Sequence, residues 1–271
     1  MDLVRYQCFG ATPHNGSDAL LVCGPEVANW SPAERHAFTV AQKVHACVFV
    51  DRDAPGAGVA SLDFYYPHMR SPLCLHASIA AARYVWGDRQ HDESLLLVTA
   101  MQQQALVFEL QNEDVYVSVE PVPMVDPDIT VQQLAGLLRC DAGVPLGSPV
   151  VASIGSAKLL VEVPDSTVLR ALRPDLEAIA AWGRTNGVNG CYVYTRLAAS
   201  QYEGRNFNHL DERLEDTATG VAAGALSVSL GQDLTVYQGE ALGNPCVIRT
   251  SLANGNVRVG GRVTRISSQS V

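Results

Sequence analysis

The chain has 271 residues, 47% hydrophobic and 17% charged, enough for a substantial core and unlike a disordered or fibrous chain. Lys and Arg number 19 against 28 Asp and Glu, a formal charge of -9 with no basic run, which excludes nucleic acid as a partner. No apolar stretch reaches the roughly 18–20 residues that span a bilayer, and MDLVRYQCFG lacks the features of a signal peptide. A cytoplasmic protein with no membrane partner is expected. The cysteines Cys8, Cys23, Cys47, Cys74, Cys140, Cys191 and Cys246 form no CxxC pair. They read as reduced thiols, mostly small core residues, and no metal site is expected.

In chain order, an opening strand leads to Gly16-Ser-Asp-Ala-Leu-Leu-Val22, a second strand. A helical stretch and a strand over 47–50 follow. Small residues from Cys74 to Gly87 predict a helix closed by a glycine C-cap. Strands are predicted over 95–99, 105–110 and 115–119, with Asn112-Glu113-Asp114 as turn chemistry between the last two. Glu120-Pro-Val-Pro-Met-Val-Asp-Pro127 reads as a linker, because its prolines remove backbone donors.

The order then repeats. Gly155-Ser-Ala-Lys-Leu-Leu-Val161 resembles the segment at Gly16, and a strand is predicted over 190–194. Ala218 to Gly231 matches the small-residue helix, with closing glycines 231 − 87 = 144 positions apart. Strands are predicted over 234–238, 245–250 and 257–259, with Asn254-Gly255-Asn256 as the turn. A repeat this long means two similar domains rather than a solenoid. Short connections favour antiparallel or mixed sheets. The expected domains are 1–120 and 121–261, with a tail of about 262–271 packing back on the first.

Two like domains meet at a cleft, a common place for small-molecule sites. Each repeated helix begins with free backbone N–H groups and a positive dipole end, suited to a carboxylate. His76 stands at one start and Asp216 at the other. Read singly, His76 is equally a core histidine, Cys74 a packing residue and Asp216 an N-cap. Together they suit general acid–base chemistry.

Three blocks carry a resemblance. Asp63 to Ala82 (DFYYPHMRSPLCLHASIAAA) resembles R-x-F-T-P-x-x-E-x-P-x-C-G-H-A-T-x-A-A-A. Gly204-Arg-Asn-Phe207 followed by Leu214 to Ala223 (LEDTATGVAA) resembles R-x-F … E-D-P-x-T-G-S-A. Tyr237-Gln-Gly239 with Val257 to Val263 (VRVGGRV) resembles Q-G … V-x-V-G-G-x-V. The chain thus resembles the phenazine-biosynthesis-F-like (PhzF-like) isomerases of the diaminopimelate-epimerase fold. The resemblance implies an α+β fold of two pseudo-symmetric domains, each a mixed or antiparallel sheet wrapped around a central helix. It implies a homodimer and a cofactor-independent isomerase or epimerase. The reaction moves a proton on a small carboxylate-bearing substrate, amino-acid-like or hydroxy-acid. His76 and Asp216 carry over as catalytic residues. Gly16, Ser17, Asp18, Cys74, Ala77, Thr219, Gly220 and Val221 fall at substrate-binding positions.

The chain also departs from the pattern. The base glutamate of S-E-T-x-F-V is Ala46, in His45-Ala-Cys-Val-Phe-Val50. The early G-N-P reads Gly16-Ser17-Asp18, the glycine before the histidine is Leu75, and the serine of T-G-S-A is Val221. Cys74 matches one thiol of the two-thiol relatives, but Thr219 replaces the other. His45, Cys47 and Asp18 are the candidate replacement bases. On a strand, 45 and 47 would share the face opposite Ala46. Histidine has the ordinary pKa best suited to neutral pH. Arg70 stands where the pattern is acidic, as a candidate anion ligand or an ion-pair partner. The alternative reading is a catalytically inactive small-molecule-binding protein on the same fold.

Overall fold

The computed structural model describes residues 1–52, 60–87, 94–125, 127–141, 143–207 and 215–266. They form two compact units, Met1–Ser118 with Gly260–Val271, and Val119–Val259. Leu214 of the second family block and residues 267–271 of the expected tail lie outside the described residues.

The first unit contains β1 (Asp2–Cys8), β2 (Ser17–Cys23), α1 (Pro25–Ala28), α2 (Pro32–Gln42), β3 (Ala46–Asp51), β4 (Ser61–Tyr66), β5 (Met69–Ser71), α3 (Leu75–Trp86), β6 (Leu95–Thr99), β7 (Ala105–Gln111) and β8 (Asp114–Val119). Its strand order is β1-β2-β3-β4-β6-β7-β8. The pairs β2–β3 and β4–β6 are parallel, and β1–β2, β3–β4, β4–β5, β6–β7 and β7–β8 are antiparallel. Helix α3 packs against β1 to β4. Its LHASIAAA stretch is buried throughout, because small side chains let a helix backbone approach a sheet on more than one side. Gly87, at φ 62, ends it.

The second unit contains α4 (Val131–Leu138), β9 (Val150–Ala152), β10 (Lys158–Glu162), α5 (Ser166–Ala171), α6 (Leu176–Asn186), β11 (Cys191–Ala198), β12 (Gln201–Phe207), β13 (Glu215–Asp216), α7 (Gly220–Leu230), β14 (Leu234–Gln238), β15 (Cys246–Ala253) and the start of β16 (Asn256–Ile266). The pairing scheme of the first unit recurs. β10–β11 and β12–β14 are parallel, and β9–β10, β11–β12, β12–β13 and β14–β15 are antiparallel. Helix α7 packs against β9, β10, β14 and β15. Gly224 lies in its middle because a Cβ there would sit 2.3 Å from Ile154 Cδ1 and 2.9 Å from Val259 Cγ2. Both hairpin turns use left-handed asparagines, Asn112 at φ 57 and Asn254 at φ 53.

The last strand is longer than its sequence pattern indicates. β16 runs through Gly260 and Gly261, and Val263 to Ile266 pair with β1 in the first unit. Gly260 is required by packing: a Cβ there would lie 2.5 Å from the Tyr116 ring. The second unit's core lies outside its sheet. Leu159, Val161, Cys191, Val193 and Phe207 meet α4, α5 and α6 there. The opposite strand positions face α7.

Candidate functional site

In the first unit the chemistry gathers at the start of α3. The N-cap residue Cys74 is extended, and its side chain does not cap the helix. Its Sγ instead accepts from Tyr66 Oη at 3.2 Å and lies 3.4 Å from His76 Nδ1. The His76 ring is stacked on His45, with centroids 5.1 Å apart and planes 4° from parallel. His45 Nδ1 is in turn 3.1 Å from Ser17 Oγ. Burial, reinforced by the neighbouring His45, holds the His76 imidazole well below its usual pKa, against a backbone hydrogen bond at Asp18. His76 is therefore neutral at pH 7, with one donor and one acceptor nitrogen.

Asp18 lies beside this pair on β2. Burial raises its carboxyl pKa, and the charges of Arg5 and His45 oppose the rise. Its Oδ1 is buried without a hydrogen-bond partner. Gly16 supplies the turn into β2. Its φ is +133, and a Cβ would sit 2.7 Å from the Cys8 carbonyl oxygen. Ala77 is a fully buried helix residue, so only its backbone is polar.

Two expectations need correction. His45 and Cys47 do not share a face, because β3 begins at Ala46 and His45 sits in the bend before it. The alternation rule applies only inside the strand. His45 is free to turn onto His76, whereas Cys47 packs with Leu20, Val22, Val27, Val44, Phe49 and Tyr65. Burial pushes its thiol up to about 11, which removes Cys47 as a neutral-pH base. For Arg70 the ion-pair alternative holds: its Nε donates to Asp63 Oδ1 at 2.7 Å.

That pair has a counterpart of reversed sign. Arg205 and Glu215 bridge β12 to β13 at 2.7 Å. Tyr65 opposes Arg70 in the first unit as Phe207 opposes Glu215 in the second. Asp63 thus takes the register position of Arg205, and Arg70 that of Glu215. The inverted first pair is accompanied by a third member, Arg35, which bonds Asp63 at 3.2 Å and Asp51 at 2.9 Å.

In the second unit Asp216 ends β13, one turn before α7. Its Oδ2 accepts from Asn206 Nδ2 at 2.7 Å and from Thr219 Oγ1 at 3.1 Å. Gln238 Nε2 donates to the Asp216 carbonyl at 2.9 Å and to Thr219 Oγ1 at 3.1 Å. Gln238 Oε1 accepts from the Thr219 N–H and from Tyr192 Oη, both at 3.3 Å. Among the described residues the carboxylate is therefore held through one oxygen. The N-cap residue Thr219 spends its hydroxyl on Asp216, not on the helix, so the first turn at Gly220 and Val221 has no side-chain cap.

The capping pattern separates these two helices from four others. Ser31, Thr130, Asp165 and Asp175 cap α2, α4, α5 and α6 with their side chains. The starts of α3 and α7 have none. The structure adds Tyr66, Asn206, Gln238 and Lys158 to the candidate residues, of which Tyr66, Asn206 and Gln238 lie inside the family blocks of the sequence. Lys158 is 2% exposed, and its Nζ donates to the Asn189 carbonyl. Burial brings its pKa down to about 8, with the Asp216 charge opposing the fall. Among the described residues no three His, Cys, Asp or Glu group as metal ligands, and no helix is long and apolar enough to cross a membrane.

Two units sharing one strand-pairing scheme, each with titratable side chains at the uncapped start of a small-residue helix, define a duplicated, sheet-rich mixed α/β protein. The chain belongs to the phenazine biosynthesis-like protein family (PhzC-PhzF), whose model matches residues 9–270. It is 32% identical over 128 residues to an uncharacterized isomerase of Deinococcus radiodurans; the match spans 43% of this chain and only 41% of that protein. It is 27% identical over 212 residues to the uncharacterized isomerase YddE of Escherichia coli K12, covering 70% of each. Its fold is similar to the crystal structure of the Bacillus anthracis phenazine biosynthesis protein of the PhzF family. That similarity has a TM-score of 0.78 at 16% identity, over 98% of this chain and 96% of the other.

Proposed function

We propose that this chain is a cofactor-independent isomerase or epimerase that moves a proton on a small carboxylate-bearing substrate, amino-acid-like or hydroxy-acid. The observation that carries the reading is the capping contrast: two helices of the repeat leave their first N–H groups without a side-chain cap, and each start holds a fixed titratable group. Uncapped N–H groups and the positive helix end bind a carboxylate. Asp216, held through Oδ2, keeps Oδ1 for the proton. Neutral His76, aligned by His45 and Cys74, supplies the second proton site. In this reading Gly16, Ser17, Asp18 and Ala77 serve binding in the first unit, and Thr219, Gly220 and Val221 in the second.

A specific observation favours a second reading, a binding protein without turnover. Ala46 is buried and carries a methyl group where the resemblance has its base. Of the candidate replacements, His45 has the geometry, since its ring already contacts His76.

The deciding experiment incubates a pool of small amino and hydroxy acids with the protein in deuterated water and follows label at carbon by NMR. Turnover predicts label in at least one acid, with Asp216→Asn and His76→Asn each slower by roughly 10²–10⁴-fold. Thermal stabilisation by an acid that never acquires label identifies the binding protein instead. In that case Ala46→Glu is the variant expected to gain exchange.

A further inference from the structure

Helix α3 carries one cation, Arg83, in its last turn, 83 − 76 = 7 residues beyond His76. At 1.5 Å per residue that is about 10 Å along the helix axis. Beside this end of the helix the first unit has a cavity of about 600 Å³, a volume within the range of small-molecule sites. Three guanidiniums line it, those of Arg83, Arg262 and Arg265, against a single carboxylate, Glu113. The lining charge is 3 − 1 = +2, on a chain whose formal charge is -9.

Sheet register places the cations. Tyr6 on β1 is the direct partner of Arg265 on β16, and Cys8 is the partner of Val263, so these four side chains share one face. That face is the one packed on α3, because the Cys8 thiol donates to the His76 carbonyl at 3.1 Å. Arg83 comes in from the helix. The Tyr6 phenol feels both cations: burial raises its pKa, and the charges of Arg265 and Arg83 oppose the rise.

The donors here are largely unspent. Elsewhere Arg35, Arg70, Arg170 and Arg205 are held by carboxylates. Arg265 is exposed, and its guanidinium makes no hydrogen bond or ion pair among the described residues. Arg83 gives one donor to the Gly87 carbonyl at 3.0 Å and has four more. Arg262 meets Glu113 at 2.9 Å, but the two side chains are 40% and 78% exposed, and such a surface pair yields to a ligand at little cost. Tyr6 lines the cavity while only 4% exposed. Its hydroxyl has no hydrogen-bond partner among the described residues, although a buried phenol ordinarily finds one. Leu110 and Val263 add an apolar wall.

We propose that this cavity is a binding site for a small organic phosphate. Arg83 and Arg265 pair with the phosphoryl oxygens, the Tyr6 hydroxyl donates to the same group, and Leu110 and Val263 cover the organic part. A phosphomonoester brings nearly two negative charges and three strong acceptor oxygens at neutral pH, which match two unspent guanidiniums and a phenol. A single carboxylate brings one charge and two oxygens. The planar fork of arginine suits such oxyanions. The site lies at the far end of α3 from His76 and does not rest on the isomerase reading.

The test titrates the full chain with phenyl phosphate by calorimetry, beside inorganic phosphate and succinate. Phenyl phosphate is expected to saturate one site with a Kd of about 1 mM or below. Arg83→Gln and Arg265→Gln should each weaken it by about tenfold or more, and Tyr6→Phe by a smaller factor of roughly three to ten. Because Arg265 is exposed, Arg265→Gln should keep the thermal midpoint of the ligand-free protein, so its loss of binding is not a loss of fold. His76→Asn and Asp216→Asn should leave the affinity within about twofold, since distant sites act independently. Absence of saturable heat, or an affinity unchanged in a folded Arg83→Gln/Arg265→Gln variant, overturns the proposal. Binding lost in His76→Asn or Asp216→Asn instead puts the anion at the helix starts and overturns it equally. Succinate binding more tightly than phenyl phosphate rules out a phosphate as the ligand, and inorganic phosphate binding as tightly rules out the organic part. None of these measurements involves deuterium exchange, so failure of the isomerase reading is a separate result.

Discussion

Replacing Lys158 by methionine should change stability in a strongly pH-dependent way. Methionine keeps much of the side-chain volume and has no charge. In the folded protein the lysine pKa falls from 10.5 to about 8, mainly by burial; at about 1.4 kcal/mol per pH unit that difference is roughly 3 kcal/mol against the ammonium. The unfolded chain binds the extra proton between these two values, so wild-type stability rises as pH climbs from about 8 to 10.5. Below about 8 both states are protonated and the full cost is present. The variant has no such term. It does leave the Asn189 carbonyl without its donor, a pH-independent loss of about 1–3 kcal/mol. The opposing terms make the variant comparable to wild type, or more stable, at pH 7. By pH 10.5 wild type should have gained roughly 3 kcal/mol on it. Urea unfolding of both proteins at pH 7 and pH 10.5 measures this directly. Other buried thiols and phenols also titrate at the alkaline end, but they are common to both proteins and cancel in the comparison. Stability curves that run parallel across this range would refute the assignment of a buried, depressed lysine.

Two further substitutions probe the frames around the sites. Arg35→Met removes the guanidinium that bonds Asp63 and Asp51 and should lower unfolding free energy by about 3–5 kcal/mol, read by urea titration, with Arg35→Met/Asp51→Asn recovering part of it, since Asp63 keeps Arg70. Equal loss in the single and double variants would mean that packing, not the stranded carboxylate, sets the cost. Gly204→Ala places a Cβ 2.2 Å from Tyr192 Oη, so the ring must move and release Gln238. We expect a loss of about 1–3 kcal/mol and a fall in deuterium exchange, whereas Tyr192→Phe, which removes only the hydroxyl, should cost about 0.5–1.5 kcal/mol. An unaltered thermal midpoint in Gly204→Ala would contradict the close approach.

Local rules made much of the fold readable. The small-residue run between Cys74 and Gly87 is a helix because alanines favour one and a glycine at positive φ stops it. Asn112 and Asn254 mark hairpins because asparagine tolerates positive φ at little cost. The repeat was legible for the same reason, since it is written in caps and turns. Reading failed where a neighbour distant in sequence decides. The pattern over 257–259 indicates a short strand, but Gly260 and Gly261 continue it, and at Gly260 only bare backbone fits against Tyr116.

The candidate site divides along the same line. His76 and Asp216 stand out in the sequence because each opens a repeated helix, and chain-local spacing alone puts them there. That His45 stacks on His76 while Cys47 joins the core follows from the residue at which β3 begins, a matter of pairing with β2 and β4. Lys158 became a buried charge through a sheet register no single segment encodes. By itself the sequence determined which residue types and which helices this protein has, because those depend on near neighbours along the chain. Tertiary structure alone decided which charges are paired, which are buried and which side chains share a face, because sheet pairing brings together residues that the chain holds far apart.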